Sequence, residues 1–276
     1  MVIVDTHAHI YDTDETLYPK RDNPLRPPEG TGGIEHLKRE MAEHGIAKTV
    51  LVQTGSAYGW DNRLSGDVAR DNASDMVGVC TLDPAFEGSV AEYERLVREC
   101  NVRGLRIEPT KTDNPVYDHP GADTLWQKVR ELNGVVCAHI QASFLDELAQ
   151  LLKRYPDVPV VLDHAAYPKA AGGVDSEVVN GVVQLAQFAN LNVKLTFVVT
   201  GSDQAYPFAD MHGIVRRIVD AFGADRCMWG SDFPCELWLK KSTYAQHLNL
   251  FREEIELSDG EREAILGGTA MWVWFE

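Results

Sequence analysis

Short apolar runs alternate with longer stretches in which apolar residues recur every three or four positions. The runs are VIVDTH (2–7), TVLVQT (49–54), MVGVCTL (76–82), VRGLRIE (102–108), VVCAHI (135–140), VPVVLDH (158–164), NVKLTFV (192–198) and RCMWGSD (226–232). Several are apolar almost throughout, as strands buried on both faces of a parallel sheet must be. Between them GIEHLKREMAEHG (33–45), SVAEYERLVREC (89–100), SFLDELAQLLKRY (143–155) and HGIVRRIVDAFG (212–223) each carry one apolar stripe and predict helices. Eight strand-helix units in a chain of 276 residues predict a single α/β domain over 1–276, a (β/α)8 TIM barrel with its active site at the C-terminal strand ends. An open doubly wound sheet would use about five or six strands and a glycine-rich first turn, and no G-x-G-x-x-G follows the first run. The connection 11–33, rich in proline and glycine, predicts a non-helical loop over the barrel mouth.

Composition narrows the function. A formal charge of -16 without a basic run argues against nucleic acid or an anionic membrane as partner, since both are bound by Lys and Arg neutralising phosphate. Five cysteines, widely spaced and without C-x-x-C, fit neither a disulfide framework nor a structural zinc knot and point to a reducing, cytoplasmic setting. No uncharged apolar run approaches the roughly 18 residues that a membrane span needs. A small-molecule substrate remains, and a homo-oligomer is compatible with this composition.

Candidate chemistry begins at Asp5-Thr6-His7-Ala8-His9. In a strand, side chains at i and i+2 share a face, so His7 and His9 project together and can share one cation. An H-x-H triplet alone has little specificity, because nine histidines in this chain make such a spacing common by chance. The predicted barrel adds partners: His139 ends the fifth run, His164 the sixth and Asp232 the eighth. Barrel closure brings these strand ends around one mouth. Histidines with a carboxylate suit one divalent ion, Zn2+ above all, with an open position for water; a metal-free site is the alternative. Asp232 and His164 are the candidate catalytic residues, and His7, His9, His139 and Asp232 the candidate ligands. Arg106, Arg63 and Lys111 are candidates to orient a substrate carboxylate, although Arg106 could instead pair with Glu108. Tyr58, Trp60 and Trp238 are candidates to stack on a sugar ring or unsaturated acid.

The motifs VDTHAHIYD, VLVQTGSAYGWDN, VRGLRIEP, VVLDHAA, NVKLT and MWGSDFP together resemble the amidohydrolase superfamily, in its amidohydrolase 2 branch of lactonases and non-oxidative decarboxylases. The glutamine after the second strand, Asp61-Asn62, the Gly-x-Arg of the fourth strand and Gly-Ser-Asp-Phe-Pro resemble the lactonases more closely. The resemblance implies that His7, His9, His164 and Asp232 are site residues, with Asp232 as the base. Binuclear members carry a lysine on the fourth strand where this chain reads Arg106-Ile107-Glu108, so the resemblance implies a mononuclear or metal-free centre. His139 favours a metal, since decarboxylases of the branch use a histidine near that place as ligand. The expected activity is hydrolysis of a small lactone, from a sugar acid or from aromatic degradation, by activated water. The alternative is metal-dependent decarboxylation of an aromatic or unsaturated acid. No G-x-S-x-G elbow supports serine hydrolysis.

Overall fold

The computed structural model describes residues 1–107 and 119–276. Glu108 and Lys111, offered by the sequence as an Arg106 partner and a substrate contact, lie outside the described residues. Eight strands follow one another around a barrel in the order of the sequence: β1 (Val4–Ala8), β2 (Lys48–Val52), β3 (Met76–Thr81), β4 (Val102–Ile107), β5 (Val135–Ala138), β6 (Val160–Leu162), β7 (Leu191–Lys194) and β8 (Cys227–Met228). Each pairs in parallel with the next, and each falls within or beside one of the apolar runs.

The eighth run contributes only two residues to its strand because the chain turns out of the sheet to close the barrel. Thr6 N and Oγ1 both donate to Trp229 O, at 3.3 and 2.6 Å, and His9 N donates to Phe233 O at 2.8 Å. Gly230 permits this approach, since a Cβ there would lie 2.9 Å from the His7 Cβ and backbone N. The result is a seam between β8 and β1 that sets Asp232 beside the two histidines.

The helices form where the sequence places apolar stripes. Leu145–Arg154 buries Leu145, Leu148, Leu151 and Leu152 on one face, with Asp146 and Glu147 in the first turn and Lys153 and Arg154 in the last, the charge order that the helix dipole favours. Inside the barrel, Val4, Val50, Val79, Val161 and Met228 pack against Trp274 of the terminal helix Thr269–Trp274. Gly104 leaves room for that indole: a Cβ there would stand 3.0 Å from its ring. The N-terminal end of the barrel is therefore closed by apolar packing, and the polar residues collect at the other end. Residues 11–33 form no helix and lie along the segment after β2, with Arg21 N bonded to Ala57 O at 2.8 Å and Leu25 N to Ser56 O at 3.2 Å. No described helix is long and apolar enough to cross a membrane.

Candidate active site

His7 lies in β1 and His9 just beyond it, so their side chains leave the same face of the chain. Their Nε2 atoms are 3.2 Å apart, and Asp232 Oδ1 lies 3.7 Å from the first and 3.9 Å from the second. Among the described residues these three side chains offer ligand atoms within 4.8 Å of one another. Adjacent nitrogen ligands on a tetrahedral zinc, with bonds of about 2.0–2.1 Å, stand roughly 3.3 Å apart, so the histidine spacing fits such an ion. His9 Nδ1 lies 3.0 Å from Val52 O, which accepts its proton and leaves the Nε2 lone pair for a cation.

Asp232 is buried against the seam and has a left-handed backbone, φ 55°. Asp5 holds that turn in place. One oxygen of its carboxylate accepts from Ser231 N at 2.8 Å and His7 N at 3.1 Å, the other from Ser231 Oγ at 2.6 Å and Tyr244 OH at 2.9 Å. Burial pushes the Asp232 carboxyl up to about 7, against the pull of Arg106. Such a group changes its proton near neutrality, as a general base should.

His164 sits in a run of four left-handed residues, His164 to Tyr167, with φ between 47° and 64°. Backbone held there by non-glycine residues is strained and persists where surrounding contacts dictate it. The turn stacks Tyr167 on His164, ring centroids 4.8 Å apart, and sets Thr196 Oγ1 2.6 Å from His164 Nδ1. Burial holds the imidazole neutral by lowering its pKa well below the ordinary value, and the same holds for His7, where Lys194 adds to the effect. His139 faces the same mouth with its Nε2 bonded to Tyr167 OH and stands apart from the His7, His9 and Asp232 group.

A cavity of about 480 Å³ joins these groups, lined by His9, His139, His164 and Asp232 together with Arg21, Arg106, Tyr167 and Trp238. The Trp238 ring is 5.8 Å from His9. The remaining sequence candidates lie elsewhere. Arg63 pairs with Asp61 at 2.5 Å on the surface, and Trp60 lines a separate depression with Phe86 and Asp83. Tyr58 is buried, its OH accepting from Asp12 N at 2.8 Å. Gln53 and Asn62 tie loop carbonyls: Gln53 Nε2 donates to Asp61 O at 2.7 Å and Asn62 Nδ2 to Thr81 O at 2.9 Å.

An amidohydrolase model matches residues 4–275, nearly the full chain. The chain belongs to the amidohydrolase family. It is 29% identical over 211 residues to an L-fucono-1,5-lactonase of Burkholderia ambifaria, an alignment covering 73% of this chain and 70% of that one. It is 25% identical over 230 residues to a 4-sulfomuconolactone hydrolase of Hydrogenophaga intermedia, covering 83% and 74%. Its fold superposes on a zinc-bound amidohydrolase crystal structure from Burkholderia multivorans with a TM-score of 0.78, at 23% identity and 99% coverage of both chains.

Among the residues of this amidohydrolase that enter the site without having been singled out in the sequence are two buried charges. Lys194, the last residue of β7, is wholly buried, with Nζ 2.9 Å from Asp163 Oδ1 and 3.2 Å from His7 Nδ1. Asp163 also receives Arg106 Nε at 3.1 Å on its other oxygen. Burial alone would raise the Asp163 pKa, but Lys194 and Arg106 reverse this and hold it well below the usual carboxylate range. Asp163 Oδ1 lies 3.7 Å from His7 Nδ1, farther than from Lys194. Lys194 Nζ stands between the two, and as a donor it can give one proton to Asp163 Oδ1 and another to His7 Nδ1, which fixes the imidazole in the site. Their sequence signal was a lysine in a run that carries no other charge and an aspartate just before His164, both charges where barrel strands should be buried. Lys194→Met is expected to destabilise the fold by about 3–5 kcal/mol in urea titrations, because Asp163 stays buried with half its compensation removed.

Proposed function

We propose that this amidohydrolase opens a small lactone by attack of water, with Asp232 as the general base and acid. The observation that carries this reading is the Asp232 carboxylate, set 3.7 and 3.9 Å from the two histidine nitrogens on the wall of a substrate-sized cavity. A divalent ion, which we take to be zinc, would be held by His7, His9 and Asp232 and would supply a water of lowered pKa and a polarised carbonyl. Asp232 takes the proton of the attacking water and returns it to the ring oxygen as the acyl bond breaks, giving the hydroxy acid. With Thr196 donating to Nδ1, neutral His164 presents Nε2–H to the oxyanion that develops on the carbonyl. Arg106, fixed by Asp163, lines the cavity and helps to orient the lactone. The five cysteines, all buried and free of disulfides, agree with a reducing cytoplasm.

The base must be ionised to work, so the rate should rise with pH. Burial sets the carboxyl at about 7, and a cation beside it moves that value down. The acid limb of kcat/KM against lactone is expected at or below about pH 7, falling about tenfold per unit below it. A rate that declines as pH rises from 5 to 7 would contradict the assignment. His139 on the cavity wall is the observation favouring decarboxylation. Carbon dioxide release in place of ring opening distinguishes that reaction.

A further inference from the structure

We propose that Arg21 determines specificity at the mouth of this site, selecting lactones that carry an acid group away from the reacting carbonyl; the inference rests on the lactonase reading above. Arg21 belongs to the connection after β1, and its backbone is anchored to the segment after β2 through Arg21 N to Ala57 O at 2.8 Å. Its guanidinium stays at the cavity, Nη1 3.5 Å from Gly55 O, and Arg21 and Gly55 line the same space as His9, Asp232 and Arg106.

The protein has 42 acidic against 26 basic residues, so most surface arginines find a carboxylate easily. Arg26, Arg63, Arg70 and Arg95 each have one within 4 Å. Among the described residues no carboxylate lies within that distance of Arg21, whose side-chain hydrogen bond is the long one to Gly55. Lys169, beyond β6, stands behind the cavity wall: its Nζ donates to Thr200 O at 2.8 Å, Thr200 lines the cavity, and no described carboxylate pairs with it. An acidic molecule thus leaves the Arg21 cation without a carboxylate at its cavity mouth, where it attracts an anion despite the net charge. Arg21 offers a planar fork suited to a carboxylate or sulfonate, at a place that a lactone ring can reach while its carbonyl lies near Asp232.

The test compares muconolactone, which bears a carboxylate, with its primary amide, using wild type, Arg21→Gln and Arg21→Lys. Wild type should favour the acid in kcat/KM. Arg21→Gln should lose about tenfold on the acid, mostly through KM, and less than about threefold on the amide; Arg21→Lys should recover part of the loss, and added salt should shrink the preference. An acid-to-amide ratio unchanged by Arg21→Gln would overturn the proposal. Citrate binding, measured by calorimetry, separates the two readings. If neither lactone is opened but citrate binds wild type about tenfold more tightly than Arg21→Gln, the anion site stands and the lactonase reading falls. If citrate binds both equally, or binds neither, Arg21 is not an anion-selecting residue.

Discussion

Asp232→Asn is expected to leave a folded protein that still binds substrate but turns over about 10²- to 10⁴-fold more slowly, the usual worth of positioned general acid-base catalysis. Asparagine keeps the shape of the side chain and removes the proton acceptor. A stability measurement separates this loss from misfolding. In metal-free protein, burial raises the folded-state pKa from the ordinary 3.8 to about 7. The fold therefore retains a proton that the unfolded chain releases between about pH 4 and 7. The stability from that proton is fully present below pH 4 and is lost as pH rises through 7. Asparagine has no such dependence, so the variant should melt at or above the wild-type temperature at pH 8, with the advantage gone at pH 4. Slow turnover with a lower melting temperature at pH 8 would point to damaged packing instead.

Changing both His7 and His9 to alanine is expected to have the other large effect. Metal content should drop from about one ion per chain to about a tenth or less, since a lone carboxylate cannot retain a first-row ion. The barrel should persist, because its apolar interior is built around Trp274 at the opposite end. His7 is fully buried beside Lys194 and Asp163, so the double variant should also melt lower than wild type. Elemental analysis after purification without chelator, together with circular dichroism, reads both effects. Unchanged metal in a folded double variant would remove His7 and His9 from the ligand set.

The barrel was legible because its strands are apolar on both faces and its helices on one, a signal that survives without knowledge of tertiary contacts. The convergence of His7, His9, His164 and Asp232 on one mouth was legible because strand ends in this architecture share one face of the barrel. What the sequence did not reveal depends on registration between distant segments. Lys194 reads as an anomaly inside NVKLT until β7 is set against β1 and β6, which brings its Nζ to His7 and Asp163. Asp5 reads as part of the histidine motif until the seam shows it clamping Ser231 and Tyr244. Arg21 lies in a connection whose proline and glycine content predicts no regular structure, so only its docking on Ala57 places it at the cavity. Arg63 and Trp60 illustrate the converse: proximity in sequence to a strand end does not aim a side chain at the mouth, and local pairing with Asp61 holds Arg63 outside.

The decisive measurement is ring opening followed by acid release in a weakly buffered pH-indicator assay, run on a panel of 1,4- and 1,5-lactones with metal-loaded wild type and Asp232→Asn side by side. The mechanism predicts one equivalent of acid per lactone opened by wild type, with the rate reduced about 10²-fold or more in the variant. Failure of wild type to open any lactone, or equal rates for the two proteins on one that is opened, would contradict it.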